Sequence, residues 1–129
     1  MDTAMEKRLL DKARDVLEHA YGPYSGIRVA AAVLAEDGSI YTGVNVENAS
    51  FGLTVCAERN AIFHAVGNAR QSFAALALVS DSALINSPCG ACRQVMMEFS
   101  PEMIVLVDTP AGSFRSTARD LLPAAFSLE

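Results

Sequence analysis

The spacing of apolar residues changes along the first half of the chain. Residues 3–20 carry apolar side chains at helical intervals with charged residues between them, which predicts an amphipathic helix. Residues 28–35 and 39–46 are apolar segments of strand length, and the pair Asp37-Gly38 between them is a strong hairpin signal. The chain is therefore expected to open with a helix followed by an antiparallel strand pair.

The second half of the chain alternates helices with short apolar strands. The expected elements are a helix at 55–68, a buried strand at 74–80, a helix at 89–99, a buried strand at 103–108, a short edge strand at 113–116 and a helical turn at 117–122. This alternation predicts an α/β fold with helices on the faces of a mixed sheet. A length of 129 residues suits one domain, and we expect a single domain over residues 1–129.

Composition and charge narrow the classes of partner. The apolar runs are much shorter than the roughly 20 residues that span a bilayer, so no membrane partner is expected. The formal net charge is -5, and the 10 Lys and Arg residues are scattered, which argues against nucleic acid and for a small-molecule substrate. The first residues lack the apolar core of a secretory signal, and the 3 cysteines cannot all pair. We therefore expect a reducing, cytoplasmic location.

The three cysteines lie in the segments 56–58 (Cys-Ala-Glu) and 88–92 (Pro-Cys-Gly-Ala-Cys). Both segments begin predicted helices, so they can meet at one end of the sheet. Three thiolates hold a zinc ion on three sides and leave one position open, as a catalytic zinc requires. This order of a ligand, one residue, Glu, and a later Pro-Cys-x-x-Cys is that of zinc-dependent base deaminases.

Two other interpretations of the cysteines remain open at this point. A structural zinc site needs a fourth ligand; His64 lies roughly 12 Å from Cys56 along the predicted helix, which is too far, but His19 is not excluded. Alternatively, Cys89 and Cys92 form a redox pair of thioredoxin type. That interpretation leaves Cys56 without a role.

Glu58 is the expected general acid/base. Its carboxylate would take a proton from the attacking water, deliver it to a ring nitrogen and later protonate the departing amine. The predicted reaction class is hydrolytic deamination of an amino-substituted aromatic carbon with release of ammonia. The N-termini of the two helices offset the charge of the thiolates. Either Arg59 or Arg93 could hydrogen-bond a thiolate and withdraw charge further.

Asn45 and Glu47 follow the second predicted strand. They are either polar residues of a strand end and turn, or a pair that binds sugar hydroxyls. In the second case, the carboxylate of Glu47 would repel a phosphate on the same sugar. The substrate would then be a free nucleoside, which agrees with the acidic net charge.

Several motifs in the same order resemble the small homotetrameric zinc-dependent cytidine deaminases, and the resemblance runs through nearly all of the chain. The matching segments are 21–25 (Tyr-Gly-Pro-Tyr-Ser), 45–50 (Asn-Val-Glu-Asn-Ala-Ser), 56–59 (Cys-Ala-Glu-Arg), 88–95 (Pro-Cys-Gly-Ala-Cys-Arg-Gln-Val) and 121–126 (Leu-Leu-Pro-Ala-Ala-Phe). The resemblance implies a three-layer α/β/α fold with a five-stranded mixed sheet.

The resemblance also implies roles for individual residues. It implies one zinc ion per subunit on Cys56, Cys89 and Cys92, with Glu58 as general acid/base. It implies substrate contacts from the residues Ile27, Val29, Asn45, Glu47, Ala57 and Phe126, and it favours Arg59 for the contact with a ligand sulfur. The implied homotetramer has shared active sites, to which Phe126 and residues near Phe51 reach across. A simpler interpretation of Phe126 is docking of its own C-terminus.

Two positions depart from the family pattern. Ile27 stands where family members commonly have Phe, which packs on the pyrimidine, and Ala30 stands where they commonly have Gly. Ile can cover a ring but cannot stack on it. The expected function is deamination of cytidine and 2′-deoxycytidine in pyrimidine salvage. Alternatives are deamination of a modified cytosine nucleoside or of blasticidin S, or a zinc fold that only binds nucleosides.

Overall fold

The computed structural model describes residues 1–128. Its elements in chain order are α1 (Thr3–Val16), β1 (Val29–Ala35), β2 (Ile40–Val44), α2 (Ala57–Gly67), β3 (Phe73–Ser80), α3 (Gly90–Phe99), β4 (Ile104–Thr109), β5 (Gly112–Thr117) and α4 (Ala118–Leu121), with 3-10 turns at Leu17–His19 and Phe51–Leu53. Within the described residues, every helix falls short of the length and apolar character that a membrane crossing requires.

The five strands form one sheet in the order β2-β1-β3-β4-β5. Among the strand pairs of residues 1–128, β3 and β4 run parallel and the other three pairs are antiparallel. The hairpin of β1 and β2 turns at Asp37-Gly38, where Gly38 has a φ of +92° that favours glycine. The predicted mixed five-stranded sheet is therefore confirmed.

Helices cover both faces of the sheet because alternate residues of a strand point to opposite sides. In β1, Ala31 and Val33 pack in a cluster with α2 and α3, whereas Ala30 and Ala32 pack in a second cluster with α1. All seven residues of β1 are buried, as expected for a strand covered on both faces. The result is the expected three-layer α/β/α arrangement.

The first helix is shorter than the sequence predicts. Regular α-helix ends at Val16, and the chain continues as a 3-10 turn through His19. The tightening begins at Leu17, whose backbone N–H donates to the carbonyl of Arg14, three residues earlier. The exposed side chain of His19 therefore lies in a turn and not on the face of a regular helix.

Gly43 brings the backbone of β2 unusually close to that of α2. A Cβ atom at this position would lie 2.3 Å from the backbone nitrogen of Ala61 and 2.7 Å from the carbonyl oxygen of Ala57. No side chain larger than hydrogen fits between the strand and the helix. Because α2 also carries Glu58 in its first turn, this contact helps to fix the position of that carboxylate.

Candidate metal centre and active site

The ends of several elements converge at one edge of the sheet. Val29, at the start of β1, pairs with Ser80 at the end of β3, and β2 ends beside the same edge. The chain leaving β3 leads to Cys89, which caps α3, and the chain leaving β2 leads to Cys56, which caps α2. Open α/β sheets bind ligands at the carboxyl ends of their parallel strands. The two cysteine motifs thus meet where a ligand site is expected.

The sulfur atoms of Cys56, Cys89 and Cys92 all lie within 4.8 Å of one another. The Sγ atoms of Cys56 and Cys89 are 3.7 Å apart. Two thiolates bound to tetrahedral zinc at about 2.3 Å are separated by about 3.8 Å. The spacing and the all-sulfur donor set therefore fit one zinc ion per chain, which confirms the predicted cofactor.

The other two interpretations of the cysteines find no support in this geometry. Within residues 1–128, the cluster contains neither histidine. Nδ1 of His64 lies 3.1 Å from the carbonyl oxygen of Thr42, and His19 is exposed beside Glu18. A redox pair at Cys89 would not require Cys56, yet Cys56 is drawn into direct contact with it. The site therefore offers three cysteine ligands, as an open catalytic zinc centre does.

Arg59 is the guanidinium that faces the sulfur cluster. Its Nη2 donates to Cys56 Sγ at 3.5 Å, whereas its Nε is buried and has no hydrogen-bond partner among the described residues. Hydrogen bonding from Cys92, supported by Arg59, lowers the pKa of Cys56 to about 5. The same thiol–thiol contact and burial raise the pKa of Cys92. The cluster thus favours a thiolate at Cys56, the protonation state in which cysteine binds metal.

Arg93, the other candidate for hydrogen bonding to a thiolate, has different partners. Its guanidinium donates to the Pro88 carbonyl at 2.7 Å, to the Leu121 carbonyl at 2.7 Å and to Ser87 Oγ at 2.8 Å. It therefore ties the start of α3 to the C-terminal segment. The sequence did not identify this function, because the carbonyl of Leu121 is 28 residues away.

Glu58 lies in the first turn of α2, two residues after Cys56, and only 4% of its surface is exposed. Burial raises the pKa of its carboxyl group to about 7, and the adjacent Cys56 thiolate acts in the same direction. Placement in the first turn explains why a buried carboxyl is tolerated here, since the helix N-terminus favours negative charge. A group in this position can accept and return a proton near neutral pH.

Asn45 is buried, and its amide side chain pairs with two backbone groups of the segment 27–29. Its Oδ1 accepts from the Val29 N–H at 2.8 Å, and its Nδ2 donates to the Ile27 carbonyl at 3.0 Å. An amide side chain carries two N–H donors and two acceptor lone pairs, so one donor and one lone pair are left. Asn45 therefore closes the strand end and still keeps a donor for a ligand.

Glu47 lines a pocket together with Tyr24, Ser25, Phe51 and Thr54. The pocket has a volume of about 330 Å³, within the range of about 300–1,000 Å³ typical of small-molecule sites. Phe51 and Tyr24 meet edge to face, with ring centroids 6.1 Å apart. Sequence reasoning identified Glu47 but gave no site role to Tyr24, Ser25 or Thr54; Tyr24 and Ser25 belong to the matching segment 21–25, whereas Thr54 lies outside the matching motifs.

The remaining predicted site residues lie at different depths. Ala57 is fully buried, Val29 is 8% exposed, and Ile27 is half-buried against the core. Phe126 is 71% exposed, so most of its surface is free of contact with its own chain. The backbone carbonyl of Phe126 accepts from Gln94 Nε2 at 3.0 Å, which places this residue beside α3.

Comparison with known proteins agrees with this arrangement. Residues 3–108 match the family described as the cytidine and deoxycytidylate deaminase zinc-binding region. A cytidine deaminase from Sporosarcina psychrophila is 47% identical over 125 residues, covering 95% of this chain and 92% of the relative. One from Halalkalibacterium halodurans is 45% identical over 128 residues, covering 97% of each.

A solved structure extends the agreement to the whole fold. The crystal structure of cytidine deaminase from Burkholderia pseudomallei is 42% identical to this chain and superposes with a TM-score of 0.88, covering 98% of this chain and 100% of that one. Matches of this extent, together with the three-cysteine cluster, establish the relationship. The chain belongs to the zinc-binding family of cytidine and deoxycytidylate deaminases.

Proposed function

We propose that this protein is a zinc-dependent deaminase that converts cytidine and 2′-deoxycytidine to uridine and 2′-deoxyuridine with release of ammonia. One observation carries the proposal. Three cysteine sulfurs lie within 4.8 Å of one another, and the buried Glu58 lies in the first turn of α2, the helix that Cys56 caps. The similarity of the whole chain to cytidine deaminases supports the choice of substrate.

The proposed metal ligands are Cys56, Cys89 and Cys92. A bound zinc ion supplies Lewis acidity, which makes water a nucleophile at neutral pH. Arg59 contacts the sulfur of Cys56 and offsets part of the negative charge of three thiolates. The N-termini of α2 and α3 act in the same direction, because Cys56 and Cys89 cap these helices.

Glu58 is the proposed proton carrier. Its carboxylate accepts a proton from the attacking water and transfers it to the ring nitrogen of cytosine. It then takes the proton of the hydroxyl that has added to the ring carbon and passes it to the amino group; the ring carbonyl forms as the C–N bond breaks and ammonia leaves. A group buried in the first turn of α2 is held firmly enough to serve both transfers. Proton transfer by a positioned side chain contributes about 10²- to 10⁴-fold to a rate.

Asn45 and Glu47 are proposed to hold the sugar. The free N–H of Asn45 can donate to a hydroxyl, and the carboxylate of Glu47 can accept from it. A nucleoside phosphate would bring negative charge towards Glu47, so free nucleosides are favoured. Ile27, Val29 and Ala57 are proposed to contact the rest of the substrate. Action on free nucleosides corresponds to a role in pyrimidine salvage in the cytoplasm, which we propose as well.

A homotetramer with shared active sites is part of the proposal. Phe51 and Phe126 are 75% and 71% exposed, and Leu53 is 65% exposed. Apolar side chains of this size suit an interface between copies of the chain. Phe126 would then reach the substrate site of a neighbouring subunit. Sedimentation velocity of the purified protein tests this, and a monomer at micromolar concentration would contradict it.

The activity is tested with the purified protein, by metal analysis and by the loss of cytosine absorbance on incubation with cytidine. One zinc per chain and turnover are expected. Glu58→Gln should keep zinc and lose activity by about 10²-fold or more. Normal turnover by this variant would refute the proton-carrier role. A panel of cytidine, deoxycytidine, methylcytidine and blasticidin S separates the alternatives, and binding of all four without turnover would indicate a non-catalytic nucleoside-binding fold.

A further inference from the structure

The carboxylate of Glu47 is held by a loop more than 20 residues away in sequence. The backbone N–H groups of Tyr24 and Ser25 donate to Oε1 at 3.0 Å and 3.1 Å. The hydroxyl of Ser25 donates to the other oxygen, Oε2. Glu47 is therefore fixed in rotation by three donors, and one of them is a side chain that substitution can remove.

Ser25 also connects Glu47 to the segment that carries Ile27. Its Oγ accepts from the backbone N–H of Ile27 at 3.0 Å, while it donates to Glu47. The carbonyl of Ile27 in turn accepts from Asn45 Nδ2 at 3.0 Å. The two proposed sugar-binding residues are thus linked through the hydroxyl of Ser25 and the backbone of Ile27.

Counting acceptor sites shows what remains for a ligand. A carboxylate offers about four lone-pair sites, two on each oxygen. Two donors occupy Oε1 of Glu47 and one occupies Oε2, which leaves a single site on Oε2. The free site is therefore on the oxygen that Ser25 contacts.

Glu47 Oε2 also lies close to the free donor of Asn45. A Cβ atom built on Gly22 would be 3.4 Å from both Asn45 Nδ2 and Glu47 Oε2. The Ile27 carbonyl oxygen would be only 2.4 Å from that Cβ, so a side chain at Gly22 would clash, and the glycine allows these groups to approach one another. A neighbouring donor and acceptor match a hydroxyl, which both accepts and donates.

We propose that Ser25 is a positioning residue for sugar recognition: its hydroxyl orients Oε2 of Glu47, so that the one remaining acceptor site is presented to a hydroxyl of the nucleoside. This inference rests on the proposed function. The hydrogen bond from Ser25 also lowers the pKa of Glu47, which keeps the carboxylate an acceptor. Ser25 itself is exposed, so its hydroxyl is not needed to complete the core.

The test compares Ser25→Ala with wild type on cytidine and on 2′,3′-dideoxycytidine, which lacks both sugar hydroxyls that could reach Glu47. For cytidine, KM should rise about tenfold, equivalent to about 1.4 kcal/mol, with kcat changed less than twofold. For the dideoxynucleoside, KM or the inhibition constant should change less than twofold. Ser25→Thr, which keeps the hydroxyl, should restore the affinity for cytidine.

Zinc content and circular dichroism of Ser25→Ala should equal those of wild type. An equal loss of affinity for both nucleosides would mean that Ser25 only maintains the loop, and it would overturn the inference. Unchanged affinity for cytidine would overturn it as well.

Glu47→Gln separates this inference from the function on which it rests. Suppose that Glu47→Gln lowers the affinity for cytidine but not for the dideoxynucleoside, and that Ser25→Ala leaves both affinities unchanged. The sugar role of Glu47 then stands, and only the role of Ser25 fails. If Glu47→Gln lowers the affinity for both nucleosides equally, the proposed contact between Glu47 and the sugar is itself wrong.

Discussion

Replacing Gly43 by alanine perturbs the contact between β2 and α2 that positions Cys56 and Glu58. The added Cβ would lie 2.3 Å from the nitrogen of Ala61, and the strand and helix would have to separate by about 1 Å to reach ordinary contact. The neighbours within 3 Å are all backbone atoms, which cannot rotate away. We therefore expect a loss of about 3 kcal/mol, the upper part of the range for overpacking.

For a domain of this length, that loss lowers the melting temperature by about 10 °C. A displacement of about 1 Å at a catalytic group can cost about 10²-fold in rate, so kcat/KM for cytidine should fall by a similar factor. The assays are thermal melting followed by circular dichroism, zinc content per chain, and deamination kinetics.

Gly67→Ala is the matched control. Gly67 ends the same helix, and a Cβ there would meet nothing within 4 Å. This variant should melt at the wild-type temperature or slightly above it, because alanine favours helix by up to about 1 kcal/mol. If Gly43→Ala melted and turned over like Gly67→Ala, the close contact would not position the helix and the reasoning would fail.

Three further changes test other parts of the site. Cys89→Ala should lose zinc and folded stability together, because it removes one of three ligands; full zinc content on metal analysis would refute the ligand role. Arg93→Ala should lower the free energy of unfolding by about 2 kcal/mol in denaturant titrations, since three hydrogen bonds from a charged group disappear. Amide hydrogen exchange in α4 should also become faster, and unchanged exchange would contradict the anchoring role. Ile27→Phe should lower KM for cytidine more than it changes kcat, because a ring can stack on the base; unchanged kinetics would mean that residue 27 does not touch the base.

Local sequence signals were sufficient for most of the fold. The apolar run at 28–35 predicted a strand, which the structure shows to be buried on both faces, and Asp37-Gly38 predicted the turn that follows it. The helix starts were accurate to within about two residues, with Cys56 and Cys89 lying at caps and not inside the first turn.

Long-range geometry explains what the sequence left open. Arg59 and Arg93 each follow a motif residue directly, yet only Arg59 faces the sulfurs, because the loop before α3 and the carbonyl of Leu121 supply partners for Arg93. The sequence likewise did not predict the hydrogen bond from Ser25 to Glu47, since the two residues are 22 positions apart and a loop conformation brings them together. Pattern reasoning identifies which residue types are present, but partners across loops depend on tertiary structure.

The anchoring of the C-terminal segment by Arg93 has a practical consequence for handling the protein. The guanidinium that holds the Leu121 carbonyl extends from the helix turn that carries Cys92, and Gln94 holds the carbonyl of Phe126. An affinity tag or fusion partner attached after this segment would pull it away from α3, weaken those hydrogen bonds and shift the start of α3. A C-terminal fusion is therefore expected to reduce metal occupancy while every ligand is intact, and an N-terminal fusion is the safer choice.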